Sequence, residues 1–341
     1  MLGACLTLLS AALFGFNNAV TRRGMLLGTT MQGMAITVPM GAVLFLFVCL
    51  ATGSLGAVTT FSPRSILWFS LAGFAHFVFG RYCNYRAIGA IGTNLSSPIQ
   101  QWEVLVTLAL ALIFLGEKLT PISIVAIALL MLGPAIATKM EQRRALHSAG
   151  AKANVAATAE TVPLSAPPKF EPRYREGYTW AFLSIFGYGS SPIFIRAGLE
   201  SASLGDSLAA GFISYLAATV LVVVWIVAGR QIDHVAALGK EPRRWFALAG
   251  VLVFLSQMVR YMALALLPAV IVAPILRIQA LFRIYFSWLL TREYEVFDRN
   301  VIVGTLISMA GAILIAVPPD IVASMLPLPV WTKAALTWRW P

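Results

Sequence analysis

About ten apolar stretches, each long enough to cross a bilayer and separated by short connections, most narrow what this chain can fold into. A spanning helix needs about 20 mostly apolar residues. Such stretches occupy residues 2–21, 31–51, 65–86, 91–115, 121–139, 178–197, 207–229, 245–267, 269–291 and 299–317. Composition agrees: 11% of residues are charged, against roughly 25% in a soluble domain, and mean hydropathy is +0.82. The expectation is an all-α polytopic membrane protein with ten transmembrane helices. The first stretch lacks a basic leader and runs into Asn17-Asn18, so it reads as a span and not as a cleavable signal.

A net charge of +11 does not point to nucleic acid, because the basic residues sit in connections and one central linker, not on a polar face. Cys5, Cys49 and Cys83 have no paired spacing, so neither a disulfide framework nor a zinc site is indicated. There is no nucleophile elbow, metal-ligand spacing or phosphate-binding glycine loop. An enzyme reading has no support, and no cofactor is called for.

The only long polar stretch is 140–177, with Arg143, Arg144, Lys152, Lys169, Arg173 and Arg175 broken by Pro163, Pro167, Pro168 and Pro172. It reads as a flexible basic linker without a core. The chain then divides into 1–139, the linker, 178–317, and a Pro-rich tail 318–341 with Trp331, Trp338 and Trp340. The halves resemble each other. Phe14-Gly15, Arg22 and Gly24 match Tyr188-Gly189, Arg196 and Gly198 at constant spacing. Tyr85, Pro98 and Glu117 fall in register with Tyr261, Pro274 and Glu293. Five spans per half force the second half to insert upside down, giving two inverted five-helix repeats.

The opening helices carry Gly15-Phe16-Asn17-Asn18 and Gly189-Ser190-Ser191-Pro192. A helix with a central proline ends in Leu115-Gly116-Glu117 in one half and in Thr291-Arg292-Glu293 in the other, and the last helices hold Gly133 and Gly311. With these motifs the chain resembles the EamA family of the drug/metabolite transporter superfamily. The resemblance implies ten helices, alternating access and a central cavity, and it implies no particular solute. It also implies termini inside the cell. Charge says otherwise: Arg22, Arg23, the linker, Arg230, Lys240, Arg243 and Arg244 follow odd-numbered spans, whereas Arg64, Lys118 and Arg196 follow even ones. That asymmetry puts the linker in the cytoplasm of a bacterial-type inner membrane and both termini outside.

Charged side chains at membrane depth cost roughly 2.5–3.5 kcal/mol each on the lenient insertion scale, so they face a cavity or a partner. Gln100, Gln101 and Glu103 follow Pro98 in the fourth span, and Arg277, Gln279 and Arg283 follow Pro274 in the ninth. In register Gln101 matches Arg277 and Glu103 matches Gln279, so both halves are polar at one depth. The two prolines bend these helices toward a cavity. Arg81 and Arg260 add positive charge, with Arg81 either lining the cavity or reaching water at the edge. Four deep guanidiniums face one deep acid, and guanidinium binds carboxylate, phosphate or sulfonate bidentately. The substrate class this favours is a small organic anion. Arg277, Arg260, Arg283 and Arg81 would bind it and Gln100, Gln101 and Gln279 would orient it. Asn17, Tyr85 and Tyr261 are further lining candidates.

Glu103 is either a proton-coupling carboxylate or the partner of an arginine, in particular a bridge to Arg283. Arg86, near a helix end, is expected to snorkel to the interface. Glu117 and Glu293 are expected to cap a helix or hold a loop, and His76 to be a packing residue. The reading is a secondary transporter, proton- or gradient-coupled. The alternatives are a flippase or carrier for a phosphate-bearing lipid, or an exporter of amino acids or drugs. Direction, coupling ion and oligomeric state are not readable from sequence.

Overall fold

A computed structural model describes residues 2–115, 121–122, 124–133, 135–136, 171–199, 203–267 and 269–316. Glu117, most of the expected linker and the tail lie outside the described residues. The helices are α1 (Leu2–Leu27), α2 (Thr30–Ala51), α3 (Pro63–Gly73), a π turn (Phe74–Gly80), α4 (Arg81–Gln100), α5 (Glu103–Leu115), α6 (Ile124–Gly133), α7 (Tyr174–Gly198), α8 (Leu204–Ala228), α9 (Lys240–Leu266), α10 (Ala269–Leu276), α11 (Gln279–Thr291) and α12 (Arg299–Ala316), with a few shorter turns. No strand occurs among the described residues. Five segments are long and apolar enough to cross a membrane: Leu2–Leu27, Thr30–Ala51, Pro63–Gln100, Leu204–Ala228 and Lys240–Leu266.

Local sequence sets the helix starts. Thr29 and Gln32 form a reciprocal capping box ahead of α2. Ser62 caps α3, whose first residue is Pro63, and Ser203 caps α8. Large apolar side chains such as Phe47, Ile113 and Phe114 point outward, 64%, 74% and 67% exposed, the arrangement expected of lipid-facing surface. Inside, Phe77 stacks on Tyr215 at 3.8 Å and Phe45 meets Phe254 edge-on at 5.0 Å. Hydrocarbon gives helices no hydrophobic reason to associate, so close approach of small residues takes over. A Cβ on Gly15 would strike Phe282 and the Arg283 amide, and one on Gly189 would strike the Glu103 carbonyl and Val106. These matched glycines seat α1 against α11 and α7 against α5.

The stretches 91–115 and 269–291, expected as single helices, are each interrupted. The first breaks at Gln101-Trp102 and the second at Arg277-Ile278, positions that correspond in the same register as Pro98 and Pro274. At both breaks amides bond three residues back: Trp102 to Ile99 and Val104 to Gln101, then Ile278 to Ile275 and Ala280 to Arg277. The stretch 65–86 does not stop before 91 either. Helical geometry runs on to Gly92, where φ is +81° and the chain turns into the next segment.

That turn is held from the other half. Glu295, in the connection after α11, accepts hydrogen bonds from the Thr93 amide (2.7 Å), the Thr93 hydroxyl (2.7 Å) and the Asn94 amide (3.0 Å). These are the first donors of a new helical segment, where a carboxylate is favoured. Arg22 lies 3.6 Å from the same carboxylate and donates to the carbonyls of Ile88 and Tyr294 (2.9 Å to the latter). Arg22 is therefore a fully buried helix residue and not one of the loop charges that set orientation. Glu293, expected to hold this connection, sits exposed in a short turn; Glu295 holds it instead. Arg86, expected to snorkel, is drawn into an ion pair with Glu176 at 2.8 Å.

Candidate substrate cavity

A cavity of about 50 Å³ lies where the broken helices face α1, α4, α7 and α9. Roughly 10–15 Å³ of such space suffices for one water, so it holds a few. The residues around it include Asn17, Asn18, His76, Arg81, Asn84, Tyr85, Gln100, Glu103, Tyr188, Arg260, Arg277, Gln279 and Arg283, with Phe14, Val253 and Leu276 as apolar wall.

The two breaks meet here. Arg277 donates to Glu103 Oε2 at 2.9 Å and to the Gln100 carbonyl at 3.2 Å, an oxygen released by the interruption of the first helix. Both side chains of this ion pair are buried. Arg283 donates to the Gln100 side-chain oxygen at 2.7 Å, and the amide of Gln100 donates to Asn84. Glu103 is thus bridged to Arg277, and the alternative pairing with Arg283 is not formed. Arg81 donates to Tyr215 (3.2 Å) and Thr37 (3.4 Å) and packs over the Phe77 ring. It is 2% exposed, so it does not reach water at the edge. Arg260 donates to Gln257 at 2.9 Å and Ser191 at 3.1 Å.

Of the residues singled out by sequence, Arg277, Arg260, Arg283, Arg81, Gln100, Gln279, Asn17, Tyr85 and Glu103 line this cavity. Gln101 and Tyr261 do not. Gln101 is buried beside the break, and Tyr261 packs in the apolar core near Phe45. Residues one apart on a helix point about 100° apart, and here Gln100 and Arg260 are aimed at the cavity while Gln101 and Tyr261 are turned away from it. His76, expected as packing, lies on the wall and hydrogen-bonds Gln257. It stands in the π turn, where one residue too many for an α-helix re-aims side chains, a device common at functional sites. Its isolation among apolar residues hid this in the sequence. Buried polar atoms around the cavity are left unpaired: Asn17 Oδ1, His76 Nδ1 and Arg283 Nε.

Broken helices meeting over a buried polar cavity inside an otherwise apolar helical protein define a membrane transport protein. Residues 1–138 and 175–317 match the EamA-like transporter family, and the chain belongs to it. A search of curated proteins finds no match. A solved crystal structure resembles this one with a TM-score of 0.57 at 14% identity, over 91% of this chain and 96% of that one. At that identity the likeness speaks for the fold alone.

Proposed function

We propose that this protein is a secondary active transporter that carries a small organic anion across a bacterial-type inner membrane by alternating access. Ten crossings in two inverted repeats, with the linker cytoplasmic and the termini outside, complete the reading. The observation that carries it is the lining of the cavity, where Arg81, Arg260 and Arg283 hydrogen-bond to neutral groups only, among the described residues. Buried cations without a counter-charge favour an anion strongly. Arg277 would release Glu103 to receive the substrate, and Glu103 would then take a proton, which couples movement of the anion to a proton gradient. A cavity of about 50 Å³ is too small for most metabolites, so the site would have to widen to take one. Transport then requires the α10–α11 break to move relative to α4 and α5.

The test is thermal unfolding of the purified protein against organic anions, zwitterions and cations, since a ligand of the native state raises the melting point with its concentration. A narrow group of anions should stabilise it, with the effect lost in Arg277→Gln. Stabilisation by cations or neutral solutes alone would refute the anion reading.

A further inference from the structure

The cavity wall holds more positive charge than a single carboxylate would answer. Glu103 is the one acid among its described lining residues, and it is engaged by Arg277 at 2.9 Å. The remaining three guanidiniums, on Arg81, Arg260 and Arg283, are each at most 3% exposed. Their partners are phenol, hydroxyl and amide groups. Such dipoles satisfy N–H donors and leave the net charge in place. The wall therefore carries an excess of three positive charges against which the substrate is the available counter-ion.

The cations also hang from separate anchors, and only Arg277 and Arg283 share one, Gln100. Arg277 and Arg283 flank the α10–α11 break and are tied to Gln100 and Glu103 at the facing break. Arg81 is tied to Thr37 of α2 and Tyr215 of α8, and Arg260 to Ser191 of α7. Arg283 Nε is buried with no partner, so at least one guanidinium N–H is unused on the Arg277 and Arg283 side. Asn17 Oδ1 and His76 Nδ1 are likewise buried and unused on the wall.

Building on the transport reading above, we propose that the substrate is a small dianion with two separate anionic groups, one answered by Arg283 with Arg277 and the other by Arg81 with Arg260. The spacer is short, since all four guanidiniums line one cavity. The unpaired Asn17 oxygen suits a hydroxyl or amine donated from that spacer.

The test compares charge at constant size. Binding to the full chain in detergent is measured by calorimetry for unbranched dicarboxylates of three to six carbons, for the monoamide of each, and for inorganic phosphate. At least one dicarboxylate should bind ten-fold or more tightly than its monoamide. Arg81→Gln should weaken dicarboxylate binding more than monoamide binding and bring that ratio close to one. A role for Arg81 in folding alone would lower both ligands together and leave the ratio unchanged. If Arg81→Gln does not fold, Arg260→Gln is read in the same way. Equal binding of dicarboxylate and monoamide would overturn the dianion, and so would binding by no dicarboxylate at all. Phosphate matching the best dicarboxylate would overturn the two separate groups. Stabilisation by neutral or cationic solutes alone, in the thermal panel above, would instead remove the anion reading beneath it.

Discussion

Arg22 and Arg196 occupy matched places at opposite ends of the two halves, and they are not treated alike. Each donates to a backbone carbonyl, Arg22 to Ile88 and Arg196 to Leu264, and those carbonyls correspond in the register that pairs Pro98 with Pro274. Beyond that the ends diverge. Arg22 is fully buried, reaches a second carbonyl on Tyr294, and faces Glu295, whose carboxylate also gathers Thr93 and Asn94. Arg196 is half-buried, and its one hydrogen bond among the described residues is 3.3 Å long. The register puts Leu119 opposite Glu295 in the sequence, and among the described residues no acid of the first half faces Arg196. One carboxylate thus joins the halves at the end where α1 finishes and α7 begins, and no such clasp is formed at the other end among the described residues. A transporter built this way should open its far end more readily than its clasped one.

Three substitutions act on that contrast, in descending order of effect. Glu295→Gln removes the carboxylate that faces the buried Arg22, and removing one partner of a buried ion pair typically costs about 3–5 kcal/mol. A large drop in melting temperature is expected. A cysteine replacing Gln231, beside the recess at the clasped end, should also become faster to label with a maleimide. Unchanged melting and labelling would show that the clasp closes nothing. Gly92→Ala should cost less: about 1–3 kcal/mol for a side chain held at φ +81° and ψ 176°, a region essentially restricted to glycine, plus the displacement of a carboxylate oxygen that lies 2.6 Å from where its Cβ would go. Combined with Glu295→Gln its cost should shrink toward the first contribution, because the two substitutions share one partner. Full additivity, measured by a double-mutant cycle in chemical unfolding, would separate the turn from the clasp. Arg196→Gln is the smallest, at most about 1 kcal/mol; a loss comparable to that of Glu295→Gln would erase the contrast.

The sequence made the two-fold organisation and the polar depth legible because both rest on spacing. Pro98 and Pro274 announced bent helices at one register, and the arginines near them could not face lipid. What it hid depends on tertiary aim. The acid that reaches across to a helix start is Glu295, and nothing local distinguishes it from Glu293 two residues earlier. The choice of Gln100 over Gln101, and of Arg260 over Tyr261, is a matter of helical angle, which bends and breaks alter by amounts a linear pattern does not record. The pairing of Glu103 was open between two arginines on one helix, and the break at Arg277-Ile278 settled which one arrives.

The π turn at Phe74–Gly80 has an arithmetic consequence for the whole molecule. Downstream of it Arg81 matches Gln257 and Tyr85 matches Tyr261; upstream, Gly73 matches Gly250, at a separation longer by a single position. Both glycines sit at close crossings, Gly73 against the Ser214 backbone and Gly250 against Thr37 and Met40. The first half therefore contains one inserted residue that the continuous α9 lacks. An α-helix advances about 100° per residue, so without the wide turn the insertion would swing Gly73 off its crossing. Absorbing it keeps the crossing and gives the cavity a histidine, His76, where the counterpart in the upstream register is Val253, also on the wall. Two states that trade the roles of the halves would be equal in energy for identical halves; this inserted residue is one of the differences that make them chemically distinct.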